Sequence, residues 1–458
     1  MNLDIIILAA GQGKRMYSAK PKILHSVGSW CLLEHVHKTA MQLNPDRIWI
    51  VHGHGSRQVL DAMHHLDATW IEQLEQRGTG HAVAQVSARL GDDGTVLVLY
   101  GDVPLITADT LNRLLAHGDP DRRLNLLTVG LDEPAGYGRI LRNATGAVTH
   151  IVEEKDANAE QKQIREVNTG ILCTSGALLK RWVGQLRNEN SQQEYYLTDI
   201  VSMAVQDGVP LHTARPDDVV EVMGVNTRTQ LATLERAWQR RQAQWLMERG
   251  VTLRDPERID IRGEITDLGQ DVEIDINVIL EGKIRLGNGV RIGPHVVLRN
   301  ASIGDQTEIL AYSLIEDAAI GSACRIGPFA RVRPETVLAD QVHIGNFVEI
   351  KKTSIGNGSK VNHLSYIGDA CIGQQVNVGA GTITCNYDGV NKHQTLIEDG
   401  AFIGSDTQLV APVKVGKNAT IGAGSTITRD APADALTLSR VGQKTVDGWT
   451  RPLKKTQT

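Results

Sequence analysis

The sequence predicts an α/β, doubly wound domain followed by a left-handed parallel β-helix. Three observations predict it. Aliphatic residues recur every six positions in runs between Ile274 and Ile427. Short, continuous apolar runs, separated by glycine turns and helical patterns, fill residues 1–226. Between these regions, residues 227–250 contain no Pro and no interior Gly, and keep a helical period.

In the first region, Ile5-Ile6-Ile7-Leu8 and Val96-Leu97-Val98-Leu99 are apolar at every position. Such runs are of the kind buried on both faces in parallel sheets, so residues 1–226 read as one α/β doubly wound domain. Residues 227–250 place Leu231, Leu234, Trp238 and Trp245 at helical spacing and end at Gly250, which predicts a linker helix. The repeat region, residues 251–458, carries aliphatic residues at Ile320, Ile326, Val332, Leu338, Ile344 and Ile350, and again at Ile403, Leu409, Val415, Ile421 and Ile427. A short repeat buries its apolar side only by stacking on its neighbours. Three units per turn would align these residues as a ladder inside a triangular prism. Gly and Asn are expected at the corners, where the backbone adopts conformations other residues resist. Cys385 to Thr395 interrupts the repeat and is expected to project as a loop. The repeat ends after Asp430-Ala431-Pro432, and a tail basic at Arg451, Lys454 and Lys455 is expected to lie against a neighbouring chain.

Length and composition narrow the class. A chain of 458 residues carries two or more domains. Apolar residues make up 41% and charged residues 22%, which excludes a disordered chain. Aromatics are only 4%, in keeping with a core of small branched side chains. Net charge is −5, which argues against a broad nucleic-acid-binding surface. Five cysteines are scattered without a CxxC pair, so neither a zinc site nor a disulfide framework is expected. No secretory leader and no bilayer-length apolar run stands out, and a soluble cytoplasmic protein without membrane insertion is expected.

Leu8-Ala9-Ala10-Gly11-Gln12-Gly13-Lys14-Arg15-Met16 follows the first strand, and Lys20-Pro21-Lys22 comes shortly after. A Gly-rich turn between strand and helix lets backbone N–H groups approach phosphate oxygens. Met16 stands where a dinucleotide fingerprint needs a third Gly, and no P-loop Gly-Lys-Ser/Thr follows. Arg15 and Lys22 add the positive charge a triphosphate needs. Tyr100-Gly101-Asp102-Val103-Pro104-Leu105 lies at the C-terminal end of another strand, where ligands sit in open α/β sheets. A carboxylate at Asp102 is placed to hold Mg²⁺ against nucleotide phosphates, or else to cap the next turn. Both strings resemble the sugar-phosphate nucleotidyltransferase signature.

In the repeat region, Asn362-His363-Leu364-Ser365-Tyr366 breaks the aliphatic pattern with chemistry-bearing residues. His363 is the type of base that takes an amine proton during acyl transfer at neutral pH. Glu349 is expected to orient that imidazole through its other nitrogen. Arg333, Lys351 and Tyr366 supply groups for a sugar phosphate. The repeat itself resembles the hexapeptide acyltransferases. The remaining histidines, His64-His65 and His52-x-His54 among them, are expected to be solvated or capping.

Taken together, the motifs resemble, over nearly the whole chain, the bifunctional bacterial N-acetylglucosamine-1-phosphate uridylyltransferase/glucosamine-1-phosphate N-acetyltransferase family. The resemblance implies that Leu8, Ala9, Ala10, Gly11, Lys22, Gln73, Gly78, Thr79, Tyr100, Gly101, Asp102, Gly138, Glu153, Asn168 and Asn226 contact the uridine nucleotide or its sugar. It places Asp102 and Asn226 on Mg²⁺, and Arg15 and Lys22 on the reacting triphosphate. It assigns Arg333, Lys351, Tyr366, Asn377 and Asn386 to the amino sugar phosphate. Ala380, Tyr387, Ser405, Ala423 and Arg440 would line an acetyl-CoA site, with His363 as base. The implied substrates are UTP, N-acetylglucosamine 1-phosphate, glucosamine 1-phosphate and acetyl-CoA, and the implied assembly is a homotrimer. The rival reading is a single-activity nucleotidyltransferase with a regulatory or trimerising β-helix.

Overall fold

The computed structural model describes residues 2–452 apart from Gln12 and His54. Those two, and the tail residues Lys454 and Lys455, lie outside the described residues. The chain divides into two compact units, Met1–Gln239 and Arg240–Thr458.

The first unit is built on a nine-stranded sheet. Its main path runs Leu211–Ala214, Leu124–Gly130, Glu166–Ser175, Thr95–Tyr100, Leu3–Ala9, Arg47–His52 and Thr69–Glu72. Leu3–Ala9 pairs in parallel with both neighbours. Glu166–Ser175 is antiparallel to both of its own, so the sheet is mixed. The expected parallel sheet holds for Leu3–Ala9 and its neighbours but not for Glu166–Ser175, because an apolar run records burial on two faces and not strand direction. Side chains alternate across the sheet. Ile5, Ile7, Leu97 and Leu99 pack with helices Leu32–Met41 and Ala108–Ala116. Ile6, Leu8, Val96 and Val98 pack with helices Thr79–Ser87, Gly176–Val183 and Ile200–Gln206 on the other face. From Leu3–Ala9 the chain builds outward to Arg47–His52 and Thr69–Glu72, then crosses back to Thr95–Tyr100. The order therefore reverses between Leu3–Ala9 and Thr95–Tyr100, which opens a crevice at their C-terminal ends.

The expected helix over 227–250 is Arg228–Met247. It is shared between the units rather than standing apart from both. Leu234 is buried with Met16, Val27, Leu32, Leu105 and Val225 of the first unit. Ala243 and Leu246 are buried in the core of the second. No helix among the described residues is long and apolar enough to cross a membrane.

The second unit is a parallel-stranded solenoid. Glu273 pairs with Arg291 and Arg291 with Glu308, steps of 18 and 17 residues, or three six-residue units per coil. Ile274, Ile292, Ile309, Ile326, Ile344, Val361, Val378, Ile403 and Ile421 lie in register and are buried throughout. The step from Asn377 to Phe402 is longer because the segment after Cys385 projects, as expected, and folds back through an antiparallel bridge between Tyr387 and Lys392. The corners are less uniform than expected: Gln306, Ala323 and Gln341 hold positive φ on one, Asp317, Glu335 and Lys352 on another, and a third is aromatic over four successive coils. After Asn277 this third corner carries His295, Tyr312, Phe329 and Phe347, all with φ between 54° and 59°. Their rings stack at 4.7, 5.0 and 5.3 Å. Coil-on-coil stacking offsets the left-handed backbone cost of a residue with a Cβ.

Candidate active sites

The crevice of the first unit is a cavity of about 500 Å³ lined by Leu8, Ala9, Ala10, Gly11, Lys14, Lys22, Gln73, Gly78, Thr79, Tyr100 and Asp102. Two backbone bonds draw its walls together. Gly101 N donates to Leu8 O (2.9 Å), and Val225 N donates to Asp102 O (2.9 Å). The second bond brings Asn226 to Asp102. Gln230, in the first turn of the following helix, accepts the Asn226 N–H (2.8 Å) and fixes that corner. The Lys22 ammonium then bonds Asp102 Oδ2 and, at 3.1 Å, Asn226 Oδ1. A carboxylate and an amide oxygen thus converge on one cationic point, and both side chains of the ion pair are largely buried (10% and 17% exposed). Two hard oxygen donors on the crevice wall fit the chemistry of Mg²⁺, which takes few protein ligands.

The loop from Gln73 to Thr79 on the crevice wall is equally determined. Gln73, 2% exposed, donates to Gly78 O (3.3 Å) and lies 2.9 Å from His81 Nδ1. Gly78 has φ +104°, and a Cβ there would fall 2.7 Å from Tyr195 O, so only glycine lets the loop close. Gly138, Glu153 and Asn168 form a separate group beside the crevice. Asn168 N donates to Gly138 O (2.8 Å), and Glu153 accepts from Thr198 Oγ1 (3.0 Å). Burial pushes the Glu153 carboxyl above the usual carboxylate range, against the Thr198 bond. Burial also raises the Tyr100 hydroxyl, with Glu153 and Asp102 adding to it, so Tyr100 stays protonated. Arg15 is exposed on the turn Lys14–Met16 and is not among the lining residues.

On the solenoid, His363 closes the short strand Lys360–His363. Its Nδ1 lies 3.0 Å from Asn346 Oδ1 on the preceding coil. The expected partner Glu349 is engaged elsewhere, with Arg333 at 2.7 Å. The reason is topological. Phe347, with φ 54°, turns the chain round a corner, so Asn346 shares a sheet with His363 whereas Glu349 pairs with Arg331 and Tyr366 on the next. Downstream, Leu364 N donates to Asn346 O, Gly381 N to His363 O, Asp406 N to Ala380 O and Gly424 N to Ser405 O. Asn346, His363, Ala380 and Ser405 therefore occupy one file along the prism, which the register of Ile403 with Ile421 carries on to Ala423. Arg440 lies beside Gly422 at its end.

Across the corner at Leu364, a polar group surrounds Asp369. Its carboxylate accepts from Asn386 Nδ2 and lies 3.8 Å from the Lys351 ammonium. Tyr366 O–H and Asn386 both border Gly368. Lys392, from the projecting loop, meets Lys351, and that contact lowers its pKa. Asn377 stands apart from this group, on the sheet of His363. Tyr387 is 60% exposed, with its hydroxyl donating to Gly389 O.

Comparison with known proteins places the chain in a family. The chain is 64% identical over 454 residues to "Bifunctional protein GlmU" of Methylococcus capsulatus, spanning 99% of this chain and 98% of that one. Proteins of the same name from Herminiimonas arsenicoxydans and Ralstonia nicotianae are each 56% identical, over 99% of both chains. The chain belongs to the bifunctional GlmU family. Family models agree unit by unit. The MobA-like NTP transferase domain matches residues 5–162, the GMPPB C-terminal domain 264–355, and the bacterial transferase hexapeptide model 394–429.

Further residues of this GlmU-family chain join the two clusters. Lys14 lines the crevice and was visible in the Gly-rich turn, but its direction was not. Gln76 and Glu194 also line it, without any motif to mark them. Asn346 and Lys392 had no local signal, because their contacts form across coils and from the projecting loop. His52 is not solvated but 5% exposed, its ring 5.8 Å from that of Trp70. The cysteines described are all free.

Proposed function

We propose that this GlmU-family chain carries out two transfers. It acetylates glucosamine 1-phosphate with acetyl-CoA, then transfers UMP from UTP to N-acetylglucosamine 1-phosphate with release of pyrophosphate. The observation that carries the reading is the pairing of two chemically distinct clusters in one chain that matches bifunctional relatives from end to end.

For acetyl transfer, an amide oxygen can only accept, so the His363–Asn346 contact favours the proton on Nδ1 and leaves the Nε2 lone pair free. Nε2 takes the amine proton as the amine nitrogen attacks the thioester carbon. The C–S bond then breaks and CoA leaves with a proton. Ala380, Ser405, Ala423 and Arg440 line the path of the acetyl donor, along the same file. Arg333, Lys351, Tyr366, Asn386 and Lys392 offer cationic and hydrogen-bonding groups to the sugar phosphate.

For uridylyl transfer, Lys22, Lys14 and the backbone of the Gly-rich turn bind the triphosphate, and Arg15 on the adjoining turn adds charge. Gln73 and Gly78 read the uracil edge, while Gly138, Glu153 and Asn168 hold the sugar. Asp102 and Asn226 would hold Mg²⁺, which when bound neutralises the phosphates as pyrophosphate leaves. The rest is positioning of the sugar phosphate oxygen in line with the α-phosphate. The assembly is a homotrimer, since a prism with flat faces makes a deep acetyl site only beside other prisms.

The deciding assay mixes the full chain with glucosamine 1-phosphate, acetyl-CoA, UTP and Mg²⁺. Release of both CoA and pyrophosphate is expected. CoA release without pyrophosphate, or the reverse, overturns the bifunctional reading.

A further inference from the structure

Arg139 is 1% exposed, yet none of its paired N–H groups serves the core around it. Nη1 donates to Tyr137 O, and Nη2 donates to Glu154 Oε2 at 2.7 Å. The same Glu154 oxygen accepts Gly136 N at 3.2 Å. Nε is buried and has no partner among the described residues. The guanidinium is thus spent on two short segments, 136–138 and 154. A buried charge held by a single carboxylate is costly to the fold.

The residues it grips are the immediate neighbours of the sugar-binding group. Gly138 lies between Tyr137, whose carbonyl Arg139 holds, and Arg139 itself. Glu153 lies next to Glu154. A Cβ built on Gly138 would stand 3.4 Å from Glu153 Oε1, so the Gly138 backbone lies directly against the Glu153 carboxylate. Asn168 closes the group through its bond to Gly138 O (2.8 Å). Loosening the Arg139–Glu154 pair would let Gly138 and Glu153 drift apart while leaving Asp102, Lys22 and Gln73 in place.

We propose that Arg139 and Glu154 form a positioning pair that sets the affinity of the first unit for the sugar 1-phosphate. The proposal rests on the uridylyl-transfer reading. Neither residue needs to touch the reacting atoms. Their effect passes through Gly138 and Glu153, and it is selective for the sugar substrate over UTP.

The test uses the full chain with Arg139→Lys and, separately, Glu154→Gln. Pyrophosphate release is followed while N-acetylglucosamine 1-phosphate is varied at saturating UTP, and then the reverse. CoA release and thermal unfolding are measured on the same samples. The KM for the sugar phosphate should rise on the order of tenfold to a hundredfold, as for other small misplacements of a bound reactant. The KM for UTP and the rate of CoA release should not change. An unchanged sugar KM, or equal rises in both KM values, overturns the proposal. Should Arg139→Lys fail to fold, Glu154→Gln, at a side chain 32% exposed, carries the test alone. A wild-type chain that releases no pyrophosphate overturns the assigned reaction instead, which separates the two failures.

Discussion

His363 Nδ1 meets Asn346 Oδ1 at 3.0 Å, one coil apart and in strand register. The contact holds the imidazole ring of His363 at a fixed angle to its file. The first prediction follows from it. His363→Ala should lower CoA release by about a hundredfold to ten-thousandfold, the usual worth of a general base. Asn346→Ala should lower it by about tenfold to a hundredfold, as for other residues that orient a histidine. Pyrophosphate release should survive both. A full-rate Asn346→Ala enzyme would show that the contact orients nothing.

The Lys22–Asp102–Asn226 triangle leads to a second prediction. Asp102→Ala should abolish pyrophosphate release and leave CoA release intact, because the two clusters lie in different units. EDTA should act in the same selective way. Loss of CoA release on chelation would point to a metal on the solenoid, although no group of three or more His, Cys, Asp or Glu able to hold one occurs among the described residues.

Glu153 supports a prediction about pH. Burial raises its carboxyl above the ordinary value, so the folded chain holds this proton more tightly than the unfolded chain. Its contribution to stability is complete below the unfolded value of 4.5 and is lost as pH rises through the folded value. Glu153→Gln removes that ionisation. The variant should therefore unfold at a higher temperature than wild type at pH 7, and the gap should close towards pH 4. Sugar-phosphate binding should weaken at the same time. A gap that stays constant across this range would contradict the burial argument.

Assembly gives the fourth prediction. Sedimentation should report three chains per particle. Charged substitutions on the flat faces that yield folded monomers should lose CoA release and keep pyrophosphate release. A monomer that acetylates at the normal rate would rule out a shared site.

Both architectures were legible in the linear sequence, because periodicity records burial. The six-residue spacing from Ile274 to Ile427 can be satisfied only by coil stacking, and the unbroken apolar runs Ile5–Leu8 and Val96–Leu99 only by a sheet covered on two faces. The Gly-rich turn and Asp102 were legible too, since both stand where a strand ends. What the sequence does not encode locally is which residues meet across coils or across the sheet. Glu349 and Asn346 are both polar and both near His363 in number, and only the corner at Phe347 decides that Asn346 faces the ring. The aromatic corner, the antiparallel Glu166–Ser175 strand, and the Lys392–Lys351 contact arise in the same way. Each depends on a pairing between segments distant in sequence, and such pairings are chosen by the packing of the whole fold.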